Sequence, residues 1–201
     1  MNLPHVTPMP LARLATPFDH PDFIFEPKMD GFRAVAYVEG GACRLISRNR
    51  NMFKTFKPLA KAIAQDLAGR SAILDGEIVR PGPDGRPLFY ELMQRRGPFC
   101  FYAFDLVWLD ARDLRGRPLL ERKALLRKLL PLRPRAVRYV EHVASGTELF
   151  RAVCELDMEG IVAKQAAGLY TPERTSWVKI KNRAYSQALG RSDFFDRRRA
   201  R

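Results

Sequence analysis

Apolar residues in this chain fall mostly in short runs of alternating or continuous hydrophobicity, punctuated by glycine, proline and charged pairs. A period of two marks a half-buried strand and a period near 3.6 marks a helix. Strands are predicted over residues 23–25, 34–38, 44–47, 73–79, 101–108, 137–140, 160–163 and 177–180. The Glu39-Gly40-Gly41 turn predicts an antiparallel hairpin between the second and third of these. Helical spacing over 57–68 stops at Gly69, and 119–130 lies between Pro118 and Pro131. A third helix, 145–156, opens with Ser-Gly-Thr-Glu, a capping box in which Ser145 and Glu148 exchange hydrogen bonds with the first turn. Many strands with a few helices and no internal repeat read as an α+β fold with antiparallel or mixed sheets.

Pro4, Pro8, Pro10, Pro17 and Pro21 make residues 1–22 an expected extended, irregular lead-in, and the Pro-Gly-Pro-Asp-Gly of 81–85 reads as a surface turn. The 201 residues, 46% hydrophobic, suffice for one domain with a real core. Charge sharpens the picture: 35 Lys and Arg against 22 Asp and Glu leave +13, the electrostatic footprint of a nucleic-acid binder. No charged leader followed by an apolar stretch opens the sequence, and no run approaches a membrane span, so a cytoplasmic protein of the cytosol or nucleoid, without membrane contact, is expected. Cys43, Cys100 and Cys154 are odd in number and widely spaced, hence core thiols rather than a disulfide framework or metal site. The histidines, His5, His20 and His142, are isolated, and neither common glycine-rich phosphate loop is present.

Four strand-associated segments carry charges that a structural strand does not need. In "FEPKMDGFR" Lys28 follows a strand, and Gly31 permits a tight backbone turn beside a ligand. Glu77 interrupts the apolar "LDGEIV"; Glu159 and Lys164 bracket "EGIVAK"; Lys179 and Lys181 alternate with Val178 and Ile180 in "WVKIK", placing both amines on one face. Each segment alone reads as a half-exposed strand with a solvated charged face. Together they supply what attack on a phosphoryl centre needs: cations for oxygen charge, carboxylates for a divalent metal and an amine as nucleophile. Neighbouring cations and partial burial favour a deprotonated amine, so Arg33, Lys164, Lys179 and Lys181 are expected both to hold phosphate and to activate Lys28.

Six ordered motifs narrow this further: K-x-D-G-x-R at 28–33, S-R-N at 47–49, D-G-E at 75–77, Y-A-F-D-L at 102–106, E-G-I-V-A-K at 159–164 and W-V-K-I-K at 177–181. In this order they resemble the motifs of ATP-dependent DNA ligases, members of the covalent nucleotidyltransferases that also include RNA ligases and mRNA capping enzymes. The wording is most similar to the bacterial end-joining ligases and their small stand-alone relatives. The resemblance implies an ATP-grasp-like adenylation domain over 23–183, two antiparallel or mixed sheets flanked by helices. It implies ATP and Mg²⁺ or Mn²⁺ as cofactors, nicked or broken double-stranded DNA as substrate, and a role in repair and recombination through a lysyl-AMP intermediate on Lys28.

By the same resemblance Glu26 sits near the adenine edge, Phe104 stacks on the base, and Arg33 and Arg48 contact ribose and phosphate. Glu77 binds ribose or metal, Glu159 holds the metal, and Lys164, Lys179 and Lys181 grip the phosphates. Phe104 is otherwise a core aromatic, and Trp177 is as readily packing as function. The family usually continues into an OB-fold, but only 20 residues follow Lys181, so no OB-fold is expected within the chain. End-binding or OB-fold function is then left to a partner protein. Residues 184–201 read as a basic tail in which Arg197, Arg198, Arg199 and Arg201 are candidate DNA contacts. Two alternatives stand beside DNA ligation: RNA ligation or another nucleotidyl transfer, and a non-catalytic nucleic-acid-binding accessory module, against which the carboxylates speak.

Overall fold

A computed structural model describes residues 3–188. Two sheets lie face to face. The smaller has strand order β1-β10-β9-β2, built from β1 (Ala12–Leu14), β2 (Phe23–Pro27), β9 (Gly160–Gln165) and β10 (Trp177–Lys181). The larger runs β4-β3-β5-β6-β7, from β3 (Phe32–Glu39), β4 (Ala42–Ser47), β5 (Ala72–Val79), β6 (Cys100–Leu109) and β7 (Arg112–Asp113). Strand β8 (Val137–Tyr139) adds to β6 in parallel. The remaining pairs are antiparallel except β1 with β10, so the α+β expectation with mixed sheets holds.

Period-two patterning divides the apolar residues into three layers. Ala34, Ala36 and Val38 of β3 face outward onto α1 (Lys57–Asp66), while Val35 and Tyr37 face the other sheet. In the smaller sheet Phe25, Ile161, Ala163 and Ile180 pack under α4 (Gly146–Glu155), and Ile24, Val162 and Trp177 face inward. The inward faces of both sheets form the central layer, and one end of that layer opens as the cleft described below.

The helices follow their sequence signals. Helix α1 starts with Pro58 in its first turn. Helix α3 (Leu119–Leu129) follows Pro118. Ser145 caps α4 by accepting from the Glu148 N–H at 3.2 Å, and Asp19 adds a second cap that local pattern did not indicate, accepting from the Gly146 N–H at 2.6 Å. A short helix, α2 (Phe89–Met93), buries Phe89, Leu92 and Met93. Cys100 is buried, Cys43 and Cys154 half-buried, and all three are free thiols.

Residues 3–22 are extended, yet they pack as part of the fold. Val6 and Met9 are buried in the central layer. The Val6 N–H donates to the Tyr37 hydroxyl at 2.9 Å and the Met9 N–H to the Tyr170 hydroxyl at 3.2 Å, after which Ala12–Leu14 pairs with β10. No helix among the described residues is long and apolar enough to cross a membrane.

Candidate active site

Lys28 stands immediately beyond β2, in the segment that carries the chain from one sheet to the other. Its N–H donates to the Gly160 carbonyl at 2.8 Å, seating it opposite the start of β9. Gly160 holds φ at +144°, and a Cβ there would lie 2.1 Å from the Ile180 carbonyl oxygen, so this corner admits only glycine. The corner turns Glu159 back onto Lys28: Glu159 Oε2 lies 2.6 Å from Lys28 Nζ and Oε1 lies 3.1 Å from Lys181 Nζ. Gly31 acts differently from the tight turn expected of it. Its φ is ordinary, and what it allows is close approach to β5, since a Cβ would lie 2.1 Å from the Ile78 carbonyl oxygen.

Alternation delivers the other groups. Asp75 and Glu77 share the inward face of β5, Lys179 and Lys181 that of β10, and Glu26 and Lys164 those of β2 and β9. An inner pocket, of about 380 Å³ including its open mouth, is lined by Glu26, Lys28, Arg33, Glu77, Phe104 and Lys164, with Leu11, Val162 and Trp177 as apolar walls. It opens into a wider cleft bounded by Lys28, Arg33, Arg48, Glu77, Glu159, Lys179 and Lys181. Every described residue picked out as a candidate therefore lines one continuous depression. Arg197, Arg198, Arg199 and Arg201 lie outside the described residues.

Several side chains are more committed than expected. Lys164 lines the inner pocket with Lys28, but it is buried with its Nζ 2.6 Å from Glu26 Oε2. Lys123 Nζ of α3 lies 2.6 Å from Glu26 Oε1 and donates to the Val140 carbonyl at 2.9 Å, so Glu26 is held between two buried ammoniums. Arg33 donates to both oxygens of buried Asp75, at 2.7 and 2.6 Å, and Tyr170 donates to the same carboxylate at 2.7 Å. Phe104 is both core and pocket wall: the Arg33 guanidinium is 4.6 Å and Lys164 Nζ 4.4 Å from its ring centroid, and Trp177 meets it edge-on. The immediate partner of Lys28 is Glu159, a carboxylate expected at the site as a metal holder rather than as the partner of the amine.

The electrostatics follow from this packing. Burial pushes the Glu77 carboxyl up to about 7, against the pull of Lys28 and Arg33 and with help from Glu159 and Asp30. Burial also raises Glu159, but the ammoniums of Lys28 and Lys181 outweigh it and hold that carboxyl below its ordinary value. Burial lowers Lys164 to about 8 despite Glu26. Lys179 is lowered by burial and then by its cationic neighbours Lys181 and Lys28.

The model of the ATP dependent DNA ligase domain matches residues 9–181. The chain belongs to the ATP-dependent DNA ligase domain family. Its ligase-domain relatives include the multifunctional end-joining DNA repair protein LigD of Mycobacterium tuberculosis, 36% identical over 163 residues, covering 79% of this chain and 21% of that protein. DNA ligase C of the same organism is 32% identical, with 90% of this chain and 55% of that one covered. Among solved structures, mycobacterial DNA ligase D complexed with ATP and MES superimposes with TM-score 0.78 at 32% identity, over 88% of this chain and 60% of that one. This ligase domain thus spans about a fifth of the LigD proteins it resembles. The expected nucleotidyltransferase architecture, two sheets flanked by helices, is the one found.

Three residues that hold this site together were not singled out in the sequence: Asp75, Tyr170 and Lys123. Asp75 shared the D-G-E motif and a strand face with Glu77, which was the available clue. Lys123 reads as an ordinary charge on a helix of mixed polarity, and only packing against Glu26 reveals it.

The raised Glu77 carboxyl gives a first prediction. Its folded value, about 7, lies above the ordinary 4.5, so the folded state binds this proton more tightly than the unfolded chain. Stability from this group is present below about pH 4.5 and is lost as pH rises through about 7. Glu77→Gln removes that loss. The variant is expected to exceed wild type by on the order of 2 kcal/mol at mildly alkaline pH, with the difference vanishing toward pH 4.5, in denaturant titrations across pH.

Proposed function

We propose that this domain is the adenylylating unit of an ATP-dependent DNA ligase, with Lys28 as nucleophile. The observation that carries the reading is the placement of Lys28 Nζ, 2.6 Å from Glu159, where an inner pocket with an aromatic wall meets a cleft lined by cations. The pocket suits a nucleoside: Phe104 and Trp177 supply apolar faces, and Glu77, protonated near neutrality, can donate to a ribose oxygen. The cleft suits the phosphates through Lys179, Lys181 and Arg48.

In the first step the Lys28 Nζ–Pα bond forms and the bond from Pα to the bridging oxygen breaks; the electron pair leaves with pyrophosphate, and the amine gives up a proton. Glu159 Oε2 is the acceptor within reach of that proton. Lys181 keeps Glu159 oriented through its other oxygen, while Arg33, fixed by Asp75, keeps its guanidinium against Phe104 at the nucleoside end. The AMP then passes to the 5′-phosphate of a nicked strand, and the 3′-hydroxyl displaces it to close the phosphodiester.

Glu159 and Glu77 both open on the cleft, and among the described residues no group of three His, Cys, Asp or Glu converges as an all-protein metal cage. That donor set fits Mg²⁺ or Mn²⁺, which bind through one or two carboxylates and complete their shell with water and phosphate. Held by Glu159, and by Glu77 when that carboxyl is ionised instead of donating to ribose, the ion would neutralise charge developing on the phosphates.

The test is to supply α-labelled ATP, or α-labelled GTP, with nicked duplex DNA and follow the label. Label is expected on the protein and then on the DNA 5′-phosphate from ATP and not from GTP; label that never leaves the protein for DNA, but does for nicked RNA, would reject DNA as substrate. The +13 charge adds a further expectation. Affinity for nicked DNA should fall by at least roughly thirtyfold between about 50 and about 200 mM salt, the loss for three neutralised phosphates, in a fluorescence titration.

A further inference from the structure

Arg13 occupies the middle of β1, the edge strand of the smaller sheet, and its Cα partner in the parallel ladder is Lys179. Partners in a ladder project to the same face, so Arg13 shares the side of the sheet that carries Lys179 and Lys181 into the cleft and Trp177 into the inner pocket. Leu11, two residues earlier, lines both the inner pocket and the cleft, which fixes the face independently. The strand is anchored: Tyr170 accepts from the Met9 N–H, the Thr175 hydroxyl donates to the Pro10 carbonyl at 2.6 Å, and Arg33 reaches the Met9 carbonyl.

Arg13 makes no ion pair among the described residues, although it is close enough to Lys179 to depress that ammonium. The carboxylate facing this group, Glu159, is already engaged by Lys28 and Lys181. Across the sheet, β2, β9, β10 and β1 succeed one another at about 4.8 Å per strand. Lys28 stands beyond β2, Glu159 before β9, Lys179 and Lys181 on β10, and Arg13 outermost. An in-line attack by Lys28 sends the leaving group away from the amine, and Arg13 is the cation of this sheet face farthest from Lys28 in strand order, paired with no carboxylate among the described residues.

We propose that Arg13 is a further phosphate-binding residue of the adenylylation step, contacting the β- and γ-phosphates of ATP as they depart as pyrophosphate. The proposal rests on the ligase reading above. It differs from a solvated edge-strand charge, a common device against edge-to-edge pairing, in that such a charge has no bearing on ATP.

The experiment measures lysyl-AMP formation against ATP concentration, the pyrophosphate concentration that strips AMP from the protein, and affinity for nicked duplex, in wild type, Arg13→Ala and Arg13→Lys. For Arg13→Ala the KM for ATP and the half-stripping pyrophosphate concentration should each rise roughly tenfold, about what one charge-assisted contact at an exposed site provides. Arg13→Lys should recover most of both. Unchanged values in Arg13→Ala overturn the proposal, as does a loss confined to nicked-duplex affinity, which would make Arg13 a DNA contact. Wild-type protein that takes no label from ATP would instead sink the ligase reading, and this inference with it.

Discussion

Incubated with ATP and Mg²⁺, the wild-type protein gains a single AMP, and Lys28→Ala gains none. The effect is expected to be complete because no other amine in the cleft stands in the same relation to both a proton acceptor and the inner pocket. Lys164 is buried against Glu26, so its nitrogen faces a carboxylate inside the pocket wall. Lys181 shares Glu159 but lines only the outer cleft, and Lys179 lies farther along the same strand. Loss of label in Lys28→Ala should not reflect unfolding, since Glu159 keeps Lys181 as a partner and the Lys28 side chain is already 18% exposed. Intact mass and peptide mapping read the result, with circular dichroism to confirm the fold. AMP located on Lys179 or Lys181 in the wild-type protein would show that the nucleophile is misassigned.

The route from sequence to this site worked where information is local. In Trp177–Lys181 alternation alone assigned Lys179 and Lys181 to one face and Val178 and Ile180 to the other, and the sheet obeys it. On β5 the structure turns Glu77 to the inward face with Asp75, where the sequence showed only a charge interrupting an apolar run. What stayed hidden was made by contacts between distant segments. Ala12–Leu14 has no strand signal of its own, since all three residues are exposed, and it becomes a strand because β10 offers it an edge. Phe89–Met93 is too short for a helical period to show. The polar groups behave likewise. A lysine on α3 and a glutamate on β2 lie 97 residues apart, and neither local pattern states that they meet in the core. Reading Lys164 as a phosphate grip failed to foresee Glu26 for the same reason: residue types suggest chemistry, but packing decides which charges are already spoken for.

That buried trio yields the largest expected stability effect. Glu26 is 2% exposed, and its two oxygens hold Lys123 and Lys164, themselves almost fully buried, at 2.6 Å each. Glu26→Gln keeps the shape and removes the charge, leaving two ammoniums in the core without a counterion. Breaking a buried ion pair from one side costs roughly 3–5 kcal/mol, because the stranded charge has lost its compensation. A carbonyl oxygen from Val140 still accepts from Lys123, and the ring of Trp177 still faces Lys164 at 3.9 Å, so part of the cost is relieved. The pH dependence separates this mechanism from simple loss of packing. In the wild type the Lys164 ammonium is already depressed to about 8, so stability from this group climbs as pH rises from about 8 toward the ordinary lysine value of 10.5. Without Glu26 the depression deepens, the climb begins at lower pH, and the variant recovers stability between neutral pH and about pH 9 faster than wild type. Denaturant melts at the two pH values measure this, and a deficit that is equal at both would mean that the cost of Glu26→Gln is not the stranded charge.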